Sequence, residues 1–375
     1  MTHRLAALFL AMLLLLTTAV SAFDLQQLFP VRRTYSGFSD VAASQWYAGN
    51  VALCYETGLM EGKSPQVFDP DASVTMPEVL AVCARLKSLF CGGDGTIPSL
   101  PADLADFVQI RTQSGRTIAR LSDVTEVLVT PGAAGAGTAL LRLPSSLVEG
   151  LTGQTVTIQA GFSGIPGQPQ QYIGTVTLGK NDKSETVGEI QFTVPSDHWG
   201  GDLWATHVAV TGLLKDSDLA TIRSYWWGDA YLFLILCREM PFSPHLSQAT
   251  GAAMDGKPAN MEGVTAKRQD LFACLAEVVP PEALPSINTI SSLPDTDDEE
   301  VLAFYNAGIL TGMDKFGTFH GDKPLSRKEM AAMLSRIARP ALRVSFTPAP
   351  AAQTKPSGSG TSGQPTDAVF PNHTL

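Results

Sequence analysis

The chain has 375 residues, a formal net charge of −10, 17% charged and 44% apolar residues, 33 Gly and 25 Pro. The acidic balance argues against a nucleic-acid partner, which selects clustered Lys and Arg. The apolar content excludes a wholly disordered chain, and the length accommodates two or three domains.

The first apolar concentration is N-terminal. Arg4 precedes a Leu-rich run from Leu5 to Leu16, and Val20-Ser21-Ala22 puts small residues at a cleavage site. This predicts a secretory signal peptide over residues 1–22. Cleavage after Ala22 removes Arg4 and no acid, taking the net charge from −10 to −11. No Cys stands at that site, which argues against a lipid anchor. No later run reaches the roughly 18 apolar residues of a membrane span. The longest, Tyr231 to Cys237, suits a buried helix.

Two later segments share an order of residues. Residues 33–92 contain Phe38-x-Asp40-Val41, Trp46-x-Ala48, Gly58-Leu59, Gly62, Phe68-x-Pro70 and Thr75-x-x-Glu78. Residues 285–340 contain Asp295, Gly308-Ile309, Gly312, Phe319 and Ser326-Arg327-Lys328-Glu329. Each reads as helix, loop, helix. Gly58 and Gly308 stand where a helix ends in a left-handed residue. Thr75/Glu78 and Ser326/Glu329 fit capping boxes at the start of the second helix. A two-helix unit cannot bury its apolar face alone, so the units are expected to pack together.

A weaker third copy spans 217–281. Trp226-Trp227 leads into an apolar helix, and Ala266-Lys267-Arg268-Gln269 opens a helix over Asp270–Val278. Aligned on Gln269, Cys274 matches Cys83, while Cys54 and Cys237 both fall in first helices. Phe304 and Leu334 hold the matching positions of the last copy. Cys54–Cys83 and Cys237–Cys274 are therefore disulfide candidates. The alternative is four buried thiols acting as small hydrophobes. Cys91 is the odd one out, and no Cys/His cluster suggests a metal.

Between the first two copies, residues 97–216 alternate like half-buried strands at Thr155–Ala160, Tyr172–Leu178 and Glu189–Val194, with another expected at Thr206–Thr211. A small inserted β-sandwich or barrel is expected. Pro131–Gly137 lacks a following Gly-Lys-Ser/Thr and reads as a turn rather than a phosphate loop. Residues 341–375, rich in Pro, Ser, Gly and Thr, read as a disordered tail.

The helical copies resemble the S-layer homology repeat of bacterial surface proteins. The resemblance rests on the Asp40, Trp46, Gly58 and Phe68 motifs of the first copy and on Ser326-Arg327-x-Glu329 of the last. It implies an α+β multidomain chain: a pseudo-threefold bundle of three helical repeats carrying the β insert. It also implies noncovalent attachment to a secondary cell-wall polysaccharide, often one bearing pyruvate ketals, with an extracellular, cell-wall location. No cofactor, metal or nucleic acid is implied.

The expected polysaccharide contacts are Arg327, Ser326, Glu329, Lys267 and Trp46. Arg327 at a helix start suits a carboxylate, whereas the capping box by itself explains Ser326 and Glu329. Met76 replaces the arginine in the first copy, and Lys267 retains positive charge in the second. Trp46, Trp226 and Trp227 fit either sugar stacking or core packing. An enzymatic alternative, a wall-attached glycan hydrolase, would rest on Asp197 and Asp202 near His198 and His207. A second alternative is an assembly subunit whose repeats contact other chains. The acids from Asp295 to Glu300 lack the Gly and the final acid of a calcium loop, so they read as helix-start acids. A non-catalytic envelope protein is the expected reading.

Overall fold

The computed structural model describes residues 24–99, 107–131, 137–161, 164–166, 169–194, 216–236 and 261–349. The leader, the Thr206–Thr211 strand, Asp197, His198, Asp202, His207, Cys237 and the tail from residue 350 lie outside the described residues. Among the described residues, no helix is long and apolar enough to cross a membrane.

Eight α-helices are described: α1 Leu25–Leu28, α2 Ala48–Glu56, α3 Met76–Phe90, α4 Asp216–Arg223, α5 Gly228–Leu236, α6 Arg268–Val278, α7 Glu299–Asn306 and α8 Arg327–Ala338. The helical units are thus α2/α3, α4/α5/α6 and α7/α8. Second helices pack on first helices of another unit: α3 on α5, α6 on α7, and α8 on α2. That series closes on itself, and α3 also lies along α6. Val79, Leu80, Cys83 and Leu86 of α3, Leu271, Phe272 and Leu275 of α6, and Met330, Leu334 and Ile337 of α8 are buried at these contacts.

The segments entering the second helices meet one another. Val74 N donates to Leu325 O (2.7 Å), Leu325 N to Ala266 O (3.1 Å) and Ala266 N to Val74 O (2.8 Å). These three fully buried residues each stand one place before a helix cap. The ring pairs backbone groups that would otherwise lie unsatisfied in the core.

The insert is a seven-stranded antiparallel sheet: β1 Val108–Thr112, β2 Thr117–Arg120, β3 Glu126–Pro131, β4 Gly137–Pro144, β5 Thr155–Ala160, β6 Gln170–Lys180 and β7 Thr186–Val194. Its order is β2-β1-β5-β6-β7-β4-β3. Of the expected sandwich or barrel, the structure has neither a second sheet nor full closure but one curled sheet, a half-barrel, among the described residues. Alternation gives it one buried face, from Val108, Ile110, Ala139, Leu141, Val156, Ile158, Val176 and Ile190. Short 3-10 turns at Leu121–Asp123 and Ser145–Val148 contribute the buried Leu121 and Val148, so one sheet suffices. Pro131 pairs with Gly137 at the ends of β3 and β4, and the expected turn between them lies outside the described residues.

Residues 341–349, expected as tail, are tied to the last unit. Val344 N donates to Gly308 O (2.9 Å) and Ala349 N to Lys315 O (2.8 Å). Phe346 N donates to Asn288 Oδ1 (2.9 Å), and its ring packs against the core. Composition signalled disorder, but these pairings and one aromatic side chain order the segment.

Gly58 and Gly308 end α2 and α7 with φ of 78° and 72°, as their positions predicted. A Cβ on Gly58 would meet only Arg32 Cδ at 3.6 Å, whereas on Gly308 it would lie 2.5 Å from Ile287 Cδ1 and 2.8 Å from Val344 O. Gly58→Ala should therefore lower stability by about 1–2 kcal/mol through the left-handed backbone alone. Gly308→Ala should lose about 2–4 kcal/mol, because overpacking adds to it. Urea unfolding of the two variants would compare them, and equal losses would contradict this account.

Candidate functional site

Two junctions between helical units are built on the same plan. In the first, Arg327 of α8 reaches into the first unit. Its Nε donates to Phe68 O (2.8 Å), Nη1 to Glu78 Oε1 (2.5 Å) and Nη2 to Glu61 O (2.5 Å). The guanidinium lies 4.6 Å from the Phe68 ring centroid and is almost fully buried. In the second, Arg268 of α6 reaches into the last unit. Its Nε donates to Phe319 O (2.8 Å), Nη1 to Glu329 Oε1 (3.4 Å), and it lies over the Phe319 ring.

The motif aspartates shape the receiving loops. Asp40 accepts from Phe68 N (2.9 Å) and Asp69 N (2.6 Å), and Asp295 accepts from Phe319 N (2.9 Å) and His320 N (2.7 Å). Asp69 and His320 both take positive φ, at 59° and 52°. Each aspartate thus turns a phenylalanine carbonyl toward an incoming arginine. Burial raises the Asp40 carboxyl, and the Phe68, Asp69 and Asp40 N–H groups with the Arg327 charge together outweigh it and hold it below its ordinary value.

Burial pushes both guanidinium groups below their ordinary range, and Glu78 and Glu329 oppose this. Both arginines stay charged. Glu78 is held below its ordinary value: burial raises it, and Lys63, the Thr75 N–H and Arg327 together outweigh that. Its Oε2 also accepts from Thr75 N (2.8 Å), and Glu329 Oε2 accepts from Ser326 N (2.9 Å). One carboxylate thus caps its own helix and receives an arginine from another unit.

The sequence expectations divide accordingly. Arg327 is central, but as an inter-unit staple. The exposed backbone donors expected beside it are occupied, since Arg327 N donates to Ala72 O and Lys328 N to Pro70 O. Ser326 is a cap residue. Glu329 and Trp46 belong to the Arg268 junction. Lys267 is exposed and stands at the cap position of α6, with its N–H on Asp270 Oδ2 (2.7 Å). The second unit therefore aligns on Asp270 rather than Gln269, and Arg268, not Lys267, matches Arg327. The one-residue error arose because Asp substitutes for Glu and Lys for Ser/Thr.

Of the expected Cys pairs, Cys237–Cys274 includes a residue outside the described ones, and Cys54, Cys83, Cys91 and Cys274 are free thiols. Cys54 Sγ donates to Ala331 O (3.3 Å) on α8, and Cys83 is buried on α3, which packs on α5 and α6. The expected Cys54–Cys83 bridge is absent from this structure. Among the described residues, no group of three metal-ligating side chains occurs.

A groove opens at each junction. Arg327, Glu78, Lys63, Arg85 and Trp226 line one of about 160 Å³. Arg268, Glu329, Arg336, Thr311 and Trp46 line the other, about 20 Å³. Arg85 and Arg336 each stand seven residues after the motif glutamate, a periodicity visible in the sequence but unread there. Arg85 Nη1 donates to Leu59 O (2.9 Å) and Arg336 Nη1 to Ile309 O (2.8 Å). Burial pushes Arg336 down to about 10. Trp226 is 59% exposed, whereas Trp46 is half-buried and packs edge-on against Tyr47 at 5.4 Å. Trp227 is fully buried and stacked on Tyr225 at 4.8 Å, the core role. At the third junction Met76 holds the arginine position and Glu277 that of Arg85, so neither cation is present there.

Residues 37–75 match the S-layer homology domain, the stretch from the Phe38-x-Asp40 motif to the cap of α3. The chain is an S-layer-homology-domain-containing protein. Such a domain implies anchoring at the cell surface through cell-wall polymers. No curated protein matches the chain.

Arg327→Ala should destabilise the chain by about 2–5 kcal/mol, because it empties a buried site and leaves the Phe68 and Glu61 carbonyls without their donor, while Lys63 still pairs Glu78. Arg327→Lys should recover little, since an ammonium cannot span three separated acceptors. The Glu78 contribution is fully present above its unfolded value of 4.5 and is lost as pH falls through the depressed folded value. Urea unfolding across this range should show a shallower acid decline in Glu78→Gln than in the native chain.

Proposed function

We propose that this is a secreted, non-catalytic envelope protein, held noncovalently on an acidic secondary cell-wall polysaccharide of the kind that carries pyruvate ketals. The three helical units act as one pseudo-threefold bundle. The closed backbone ring and the cyclic packing of second on first helices support that arrangement. The β half-barrel is the displayed part.

The observation that carries the reading is the larger groove. An exposed indole stands there beside Arg85, a guanidinium with one described protein acceptor. An indole face suits the apolar face of a sugar ring, and a guanidinium fork suits a carboxylate. Lys63, Arg85 and Arg327 against Glu61 and Glu78 leave one positive charge in excess, in a chain of net charge −10. Attraction is therefore local, since the overall charge repels an anionic wall. Arg327 shapes the groove floor, and Arg85, Lys63 and Trp226 face the ligand. The Arg268 groove, with about 20 Å³, has room for little more than a water molecule.

Sedimentation with purified wall sacculi tests this. Binding should disappear once the polysaccharide is chemically extracted. Arg85→Ala should weaken it by about 10–100-fold, the loss of one charge-assisted hydrogen bond. Arg336→Ala should leave it within about threefold, because so small a difference lies below one such bond. Binding that survives extraction, or is indifferent to Arg85, would overturn the assignment. Release of wall fragments by the protein would favour the hydrolase alternative.

A further inference from the structure

The turn that walls one side of the larger groove is held by three arginines. Leu59 O, Met60 O and Glu61 O, three successive carbonyls after α2, accept from Arg85 Nη1 (2.9 Å), Arg33 Nη2 (3.2 Å) and Arg327 Nη2 (2.5 Å). Arg33 is fixed further by Nε on Tyr55 O (2.6 Å), and its guanidinium lies 3.9 Å from the Tyr55 ring centroid. Its Nη1 pairs with Glu61 Oε1 (3.3 Å). Glu61 lines the groove together with Arg85 and Lys63, whereas Arg33 does not line it.

The Glu61 side chain is exposed, and two guanidinium groups compete for it. Burial lowers Arg85 from its ordinary range, the Glu61 charge opposes that and the Arg33 charge adds to it, so the three groups act on one another. A mobile carboxylate favours a guanidinium fork that is already fixed in place, since less freedom is lost there. The last unit supplies the comparison. Asn288 stands seven residues before Asp295, as Arg33 stands seven before Asp40. Asn288 Nδ2 donates to Tyr305 O (2.8 Å), as Arg33 donates to Tyr55 O. Thr311 stands three residues after Gly308, the place that Glu61 holds after Gly58. The acid and the arginine that receives it are thus replaced together.

We propose that Arg33 is a positioning residue for the larger groove: it draws the Glu61 carboxylate aside and so leaves Arg85 open to an acidic saccharide. The proposal rests on the polysaccharide reading above and adds what sets the groove's selectivity. Without Arg33, the Glu61 carboxylate turns to Arg85 and takes the place of the ligand's own carboxylate. A competitor tethered at the groove acts at high effective concentration, so even a weak pairing would count against the ligand.

A double-mutant cycle, read by sedimentation of the full chain with purified wall sacculi, tests this. Arg33→Ala should weaken binding about fivefold, the scale of one exposed ion pair. Glu61→Gln alone should tighten binding by about two- to fivefold, and in that background Arg33→Ala should cost less than about twofold. Glu149→Gln removes the same charge in the β insert, and there the loss from Arg33→Ala should persist. No loss in the native chain, an equal loss without Glu61, or a loss cured equally by Glu149→Gln would overturn the proposal. Arg33→Asn copies the residue of the last unit, keeps a donor for Tyr55 O, and takes the place of Arg33→Ala should that variant not fold. A crystal structure of Arg33→Asn without saccharide gives a second reading. Its Glu61 carboxylate should stand within hydrogen-bond distance of Arg85, and a Glu61 that keeps away from Arg85 would defeat the proposal. A native chain that fails to bind sacculi defeats only the polysaccharide assignment, and the position of Glu61 in that structure still decides the role of Arg33.

Discussion

Three helix N-termini converge on one small region of this protein, and every one brings backbone groups that must be paired. The solution is the ring in which Val74, Leu325 and Ala266 each donate to another of the three. Because each residue immediately precedes a helix cap, the ring fixes where the three second helices begin. It also links segments far apart in the chain, so the β insert has to leave and return without disturbing it. Helix packing, the arginine junctions and the grooves all take their positions from this arrangement.

The arginines extend the ring outward. A guanidinium buried between units is unfavourable unless its donors are filled, and Arg327 fills three of them with Phe68 O, Glu78 and Glu61 O. Asp40 prepares one of those acceptors by turning the Phe68 loop, and Asp295 does the same for Arg268 through Phe319. The motif Asp, Phe, Glu and Arg are thus parts of one mechanism split between adjacent units. An arginine in one unit is matched by an aspartate and a glutamate in another. This explains why the first unit keeps Asp40 and Glu78 although Met76 stands at its own arginine position.

The two built grooves differ by a few side chains. Trp46 leans on Tyr47 and closes its groove, whereas Trp226 stands out from the surface because its neighbour Trp227 is stacked on Tyr225 in the core. Lys63 adds a cation at one groove where Met313 stands at the matching place of the other. Repeats with a common framework can therefore present unequal sites, and a chain acidic overall can still hold a local patch for an anion.

Much was legible from sequence because it depends on local chemistry. Capping boxes, left-handed glycines and strand alternation are set by residues within a few positions of each other, so Thr75/Glu78, Ser326/Glu329, Gly58, Gly308 and Thr155–Ala160 could be read directly. The repeat pattern also identified the domain type. What an arginine touches is a different matter, since Arg327 and Glu78 lie 249 residues apart and meet only when the units close. Register in the weak copy was decided by Asp270 finding the Lys267 N–H, which a one-residue ambiguity in sequence could not settle. Cysteine partners, the single curled sheet and the docking of residues 341–349 likewise depend on which surfaces meet. Sequence determined the local elements and their kinship; tertiary structure decided the contacts between units, because burial and long-range pairing are properties of the assembled chain.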